Sequence, residues 1–345
     1  MRWTRTLTMV EAHAEGEVGR CVTGGLIDLP GETMLAKMVH LNERDDSLRR
    51  FCVFEPRGSA QMSTNLILKP CDPRADAGMI VLQGDRAHEM SGSNCICTVT
   101  VLLETGMVPM TEPETVVRLD TPAGLVTARA TCHNGKCETV RLSMTPAFVE
   151  ALDVSVEVPG VGRVVADIAF GGVYYGLIDP GPLGLAIAPD RARELVDVGG
   201  RIHRALLDAV AVRHPERPEM NRISYVMFVD RTEDGDLSGA TILPPGRIDR
   251  SPCGTGNTAR LAVRAARGEA AVGESRTARS IIGSRFEVGF VGETRVGARP
   301  AVQTEISGRG WIHGVHQIGL DPSDPYPNGY MVADCWGDAF DLLAP

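Results

Sequence analysis

Ser91-Gly92-Ser93-Asn94-Cys95-Ile96-Cys97-Thr98-Val99-Thr100-Val101-Leu102-Leu103-Glu104-Thr105-Gly106 has an echo later in the chain. From position 253 the sequence runs Cys253-Gly254-Thr255-Gly256-Asn257-Thr258-Ala259-Arg260-Leu261-Ala262-Val263-Arg264-Ala265-Ala266-Arg267-Gly268. Each segment opens on a small nucleophile followed by Gly and passes through a cluster of Gly, Ser, Thr and Asn. Each then turns apolar and stops at a Gly, a common residue just past a helix end. The pattern predicts two loops that each feed a helix N-terminus. Small residues there leave backbone N–H groups free to face an anion, and the helix dipole favours a carboxylate or a thiolate at that end. Two such ends, one per domain, could hold one carboxylate from both sides. Taken singly, each segment is also what an ordinary capped helix looks like; it is their match that singles them out.

The rest of the chain bounds the answer. At 345 residues it is long enough for two domains. It is 43% hydrophobic, 23% charged and 5% aromatic, the profile of a globular protein rather than a disordered or collagen-like one. The formal charge of −9 argues against a nucleic-acid partner. No stretch approaches the roughly 18 apolar residues of a membrane span. The N-terminus alternates instead of opening on a continuous apolar run, so no secretory signal is expected. The 9 cysteines are odd in number, and the expectation is reduced thiols in the cytoplasm, most of them small buried hydrophobes. Cys132 and Cys137 flank His133-Asn134-Gly135-Lys136, a hairpin turn without a second ligand pair for a metal.

Alternation predicts strands at residues 4–10, 78–83, 115–120, 124–130, 139–144, 154–158, 162–169, 172–178, 223–229, 281–291 and 302–306. Pro159-Gly160 reads as a hairpin turn, and Ala12 to Gly19 as a charged turn. Leu195, Val198, Ile202, Leu206 and Val210 recur at helical spacing after Pro189. Many short strands with few helices predict an α+β protein.

Asp249-Arg250-Ser251-Pro252-Cys253-Gly254-Thr255-Gly256 resembles the second active-site motif of the proline racemase family. Met90-Ser91-Gly92-Ser93-Asn94 resembles the first, with Ser91 where the family motif has Cys and Ser93 where it has His. Similarity continues through Glu55-Pro56-Arg57-Gly58, Ile281 to Phe286, Glu305 to Ile312 and Asp321 to Pro325. The resemblance implies two pseudo-symmetric domains, each a β-rich shell around a central helix, with the site in the cleft between them. The expected first domain is 1–126 plus about 300–345, and the second is 127–299. No metal and no organic cofactor is implied. The expected partner is a small imino acid substrate, with a homodimer as the only assembly considered.

The family's chemistry begins with removal of a weakly acidic Cα proton. That step needs a base near the proton and charge stabilisation for the carbanion. The resemblance places Gly92, Ser93, Asn94, Gly254 and Thr255 around the substrate, with the N–H groups of Gly92, Ser93, Gly254 and Thr255 on its carboxylate, and Asp249 on the ring ammonium. It makes Ser91 and Cys253 the proton-transfer pair. A hydroxyl is a weak base near neutral pH, which weakens the case for two-base inversion. In trans-3-hydroxy-L-proline the Cα proton and the 3-hydroxyl leave from one face, so a single group can serve both. The expected function is therefore a hydro-lyase converting that substrate to Δ1-pyrroline-2-carboxylate. The alternative is an isomerase, a 4-hydroxyproline 2-epimerase or proline racemase; a non-catalytic imino-acid binder is the third reading. The sequence leaves open whether Ser91 or Cys253 is the base.

Overall fold

The computed structural model describes residues 2–332. The first half of the chain contains β1 (Arg5–Ala14), β2 (Glu17–Gly24), α1 (Met34–Glu43), α2 (Ser47–Val53), β3 (Ser63–Leu68), β4 (Ala77–Leu82) and β5 (Ala87–His88). It continues with α3 (Gly92–Glu104), β6 (Glu114–Thr121), β7 (Gly124–His133) and β8 (Lys136–Ser143). The second half contains β9 (Phe148–Val158), β10 (Gly162–Phe170), β11 (Tyr174–Ile178), α4 (Ala192–Ala209), β12 (Ile223–Arg231), β13 (Leu237–Leu243) and β14 (Arg247–Ile248). Then follow α5 (Gly254–Ala266), β15 (Ser275–Arg279), β16 (Arg285–Val296), β17 (Arg299–Gly308) and β18 (Gly310–Leu320).

The strand ladders show that the echo in sequence is an echo in fold. In the first half β2 runs parallel to β3, β3 pairs antiparallel with β4, β4 pairs with short β5 and runs parallel to β6, and β6-β7-β8 form an antiparallel meander. The second half repeats each relation with β11, β12, β13, β14, β15, β16 and β17. Helix α3 follows β5 as α5 follows β14. The repeat is circularly permuted: β9 pairs with β10 in the second half, and the C-terminal β18 does the same for β1. An antiparallel β8–β17 ladder joins the halves. The protein is thus α+β, with two pseudo-symmetric domains, each a β-rich shell around a central helix.

The central helices read accordingly. Every residue of α3 from Gly92 to Leu103 is buried, as expected of a helix that is not amphipathic because a shell surrounds it. It packs on β1, β2, β8 and β18, while α5 packs on β9, β10, β16 and β17. By contrast α4 buries one face, Leu195, Gly199, Ile202, His203 and Leu206. No helix among the described residues is long and apolar enough to cross a membrane.

Turn chemistry sets several registers. Asn134 and Gly135 both take positive φ, 50° and 73°, the requirement of a tight hairpin turn, and they place Cys132 opposite Cys137. All eight cysteines among the described residues are free thiols, and Cys335 lies outside them. The structure departs from the sequence reading in several places, beginning with strands β2, β3, β13, β15 and β18, which were not expected. Ala12 to Gly19 is not a turn: β1 runs to Ala14, only Glu15-Gly16 turn, and β2 begins at Glu17. Its charges have partners, Glu15 with Arg309 at 3.1 Å and Glu17 with Arg247 at 2.6 Å. Residues 281–284 form a turn with Gly283 at φ 78°, so the expected strand starts at Arg285. Helices α1 and α2 were not expected, although Thr33 caps α1 by accepting from Ala36 N–H at 3.0 Å. The expected domain divide at 126/127 falls inside β7, and residues 333–345 of the expected first domain lie outside the described residues.

Candidate active site

The N-termini of α3 and α5 meet. A Cβ built on Gly92 would stand 3.1 Å from the Gly254 Cα, and one built on Gly254 would stand 3.1 Å from the Gly92 Cα. Glycine at both positions is what lets two helix ends approach backbone to backbone. Around this contact lies a small enclosed cavity lined by Ser91, Ser93, Asn94, Asp249, Cys253, Gly254 and Thr255. The eight residues singled out in sequence therefore converge, Gly92 as the floor of the contact and the other seven as walls.

On the first side, Ser91 is the N-cap of α3. Its Oγ accepts from Asn94 Nδ2 at 2.9 Å and lies 3.3 Å from Ser93 Oγ. On the second side, Cys253 is the N-cap of α5 and takes φ 68°, a left-handed backbone in a non-glycine residue. Such conformations store on the order of 1–3 kcal/mol and persist only where the surroundings enforce them. Here Ser251 Oγ accepts from Cys253 N–H at 3.2 Å while donating to Asp249 Oδ1 at 2.8 Å, and Asn257 Nδ2 donates to the Cys253 carbonyl at 3.0 Å. The sulfur lies 3.2 Å from the Tyr175 hydroxyl.

The electrostatics oppose charge until a ligand arrives. Burial pushes the Cys253 thiol up to about 12, the Asp249 charge adds to this, and the hydroxyls of Thr241 and Tyr175 draw it back. Burial likewise raises Asp249 to about 8, reinforced by Glu17 and opposed by Arg247 and the Ser251 hydrogen bonds. An ammonium beside Asp249 would supply the missing countercharge.

Six further wall residues escaped the sequence reading: Glu17, Gln83, Tyr175, Tyr225, Thr241 and Leu243. Glu17 contacts Arg247 (Oε1 to Nη1, 2.6 Å) and accepts from Arg250 N–H at 2.9 Å, so β2 of the first domain is tied to β14 of the second. Tyr225 donates to Gln83 Oε1 at 3.1 Å, and Gln83 Nε2 donates to Ser63 Oγ at 3.2 Å. Glu17 lies within His13-Ala14-Glu15-Gly16-Glu17, a signal that was present but read as a turn.

Fold and site define an α+β protein of two like domains, with facing helix N-termini that present a hydroxyl and a thiol to one cavity. The chain belongs to the proline racemase family, whose model matches residues 9–331. Two curated relatives, from Rhizobium etli and Agrobacterium fabrum, are each 49% identical over 339 residues, 98% of this chain and of theirs; both carry the name 4-hydroxyproline 2-epimerase. A solved hydroxyproline epimerase from Agrobacterium vitis, with bound trans-4-hydroxy-L-proline, is 46% identical with a TM-score of 0.95, covering 99% of this chain and 100% of that one. A probable proline racemase from Agrobacterium radiobacter K84, with bound carbonate, is 48% identical with a TM-score of 0.94, covering 96% and 98%.

These relatives overturn the expectation of a hydro-lyase acting on trans-3-hydroxy-L-proline; they favour the isomerase alternative. To the expected helix N-terminus behind Ser91 the structure adds an amide donor from Asn94, and both favour negative charge on its oxygen.

Proposed function

We propose that the chain is an isomerase that inverts the Cα of 4-hydroxyproline, with Ser91 and Cys253 as the proton-transfer pair. The observation that carries this reading is the placement of two proton-bearing groups, one at each of two facing helix ends, across a single cavity. The relatives' name supplies the substrate class. The N–H groups of Gly92, Ser93, Gly254 and Thr255 receive the substrate carboxylate, and the two helix dipoles stabilise the charge that spreads into it as the carbanion forms. Asn94 orients Ser91, and Asp249 pairs with the ring ammonium.

Proton bookkeeping follows from the two acid strengths. A thiolate at Cys253 removes the Cα proton from one face, becoming a thiol. Ser91 delivers its hydroxyl proton to the other face, becoming an alkoxide held by Asn94 and the α3 N-terminus. Solvent exchange then restores both groups. The reverse turnover uses the same steps in the opposite order.

Proton NMR in heavy water tests the reading. Incubation with trans-4-hydroxy-L-proline is expected to give cis-4-hydroxy-D-proline deuterated at Cα, with the C4 hydroxyl retained. Absence of both exchange and inversion at Cα would sink the proposal.

A second test uses Asp249. Since its free carboxyl is held up at about 8, most of it carries a proton at pH 7. Binding the ring ammonium lowers that value, so close to one proton is expected to leave on binding. Calorimetry at pH 7 in buffers of different ionisation enthalpy reads this release directly. Asp249→Asn is expected to remove it, and binding heats independent of buffer in the unsubstituted protein would contradict the assignment.

A further inference from the structure

We propose that Tyr175 is a positioning residue for Cys253, its hydroxyl bridging Cys253 Sγ and Thr255 Oγ1 so that the sulfur has a hydrogen-bond partner in both its thiol and thiolate forms. The inference rests on the isomerase reading above but adds a residue to it. The Tyr175 oxygen lies 3.2 Å from Cys253 Sγ and 2.7 Å from Thr255 Oγ1. A phenol has one proton to give and can accept in return. With Cys253 as a thiolate, Tyr175 donates to sulfur and accepts from the Thr255 hydroxyl. With Cys253 as a thiol, S–H donates to the Tyr175 oxygen, and Tyr175 donates to Thr255 Oγ1. Rotation of two hydroxyl protons converts one arrangement into the other, and no proton is gained or lost by tyrosine.

The surroundings fit this role. Tyr175 is fully buried on β11, and burial holds its own ionisation well above the ordinary value, so it stays a neutral donor. Gly256 makes room for the approach: a Cβ there would fall 3.0 Å from Cys253 Sγ and 3.3 Å from the Tyr175 ring. Thr241 on β13 also hydrogen-bonds the sulfur, the Asp249 charge after β14 acts on it, and Tyr225 on β12 lines the same cavity. Asp249 opposes the thiolate, so a neutral donor at the sulfur is the contact that favours it without adding charge. On the opposite face Asn94 Nδ2 does the equivalent for Ser91.

The test is the rate of Cys253 alkylation by iodoacetamide without substrate, resolved by peptide mass spectrometry. Half-buried Cys71 serves as the internal reference. At one fixed pH near 8, the Cys253 alkylation rate in Tyr175→Phe is expected to fall roughly 10-fold or more relative to Cys71, because less thiolate is present. The rate of inversion is expected to fall by roughly 10-fold or more with KM within about twofold. A merely structural tyrosine would leave the relative Cys253 rate in place, and that result would overturn the proposal. Should Tyr175→Phe fail to fold, 3-fluorotyrosine at position 175, a stronger donor of nearly the same shape, decides: the relative rate is expected to rise, and an unchanged rate overturns the assignment. Because alkylation needs no substrate, a changed rate in a protein that inverts no hydroxyproline would count against the isomerase reading alone.

Discussion

Cys253→Ala is expected to abolish Cα exchange for both enantiomers of 4-hydroxyproline, whereas Ser91→Ala is expected to abolish inversion but leave exchange in one enantiomer. The asymmetry follows from the chemistry of the pair. A thiol loses its proton far more readily than an alcohol, even when burial raises it to about 12. Of the two groups, Cys253 is the one that reaches a basic form without help from the reaction. With Ser91 gone, a Cys253 thiolate still removes the proton on its own face and returns a deuteron there, so label enters without inversion. With Cys253 gone, the hydroxyl left at Ser91 reaches its alkoxide only through solvent, in far smaller amount than a thiol reaches its thiolate. The loss in Cys253→Ala is expected to be on the order of 10²–10⁴-fold or greater, the range for a positioned acid–base group. Proton NMR of each enantiomer in heavy water checks this, and ligand binding by calorimetry confirms that the cavity survives. One enantiomer exchanging at an undiminished rate in Cys253→Ala would place the base at Ser91. Undiminished inversion in Ser91→Ala would remove Ser91 from the reaction.

What was legible in the sequence divides by range. The helix ends carry their signal locally: Gly92 and Gly254 are small because the two backbones come close, and that shows within four letters. The hairpins at Asn134-Gly135 and Pro159-Gly160 are equally local. The circular permutation is not, since nothing near Gly310–Leu320 says that it will pair with Arg5–Ala14, the edge that completes the first domain. The cavity walls fail for the same reason. Glu17 looks like part of a charged turn until Arg247, more than 200 positions away, supplies a buried partner. Tyr175 stands beside Tyr174 in an apolar strand, and only the fold shows that one hydroxyl meets the Cys253 thiol while the other points to Glu150. Ser91 was legible as a residue but not in its hydrogen bond to Asn94, and it is the relatives that overturn the elimination chemistry expected of it.

Arg247→Met is expected to be the most destabilising single change in the cavity wall. The Arg247 guanidinium is buried, Nη1 meeting Glu17 Oε1 at 2.6 Å and Nη2 donating to Ser63 Oγ at 3.2 Å. Side-chain exposure is 4% for Arg247 and 2% for Glu17, so neither charge is screened by water. It also offsets part of the burial penalty on Asp249. Removing the guanidinium leaves the Glu17 carboxylate buried without its countercharge, and breaking a buried pair in this way costs about 3–5 kcal/mol. The expected readout is a fall of roughly 1 M or more in the urea midpoint at neutral pH. Methionine fills much of the arginine stem's volume, so the loss reports charge more than packing. The double substitution Glu17→Gln with Arg247→Met removes both charges and is expected to recover most of the midpoint, since a buried pair replaced by neutral groups is often nearly neutral in stability. If the two losses simply add, the ion pair does not couple β2 to β14, and the link between the domains at the cavity must be carried by Ser63, Gln83 and Tyr225 instead. If they cancel, the same pair that holds the domains together also sets the charge facing Asp249. The double variant should then bind a ring ammonium more weakly while remaining folded.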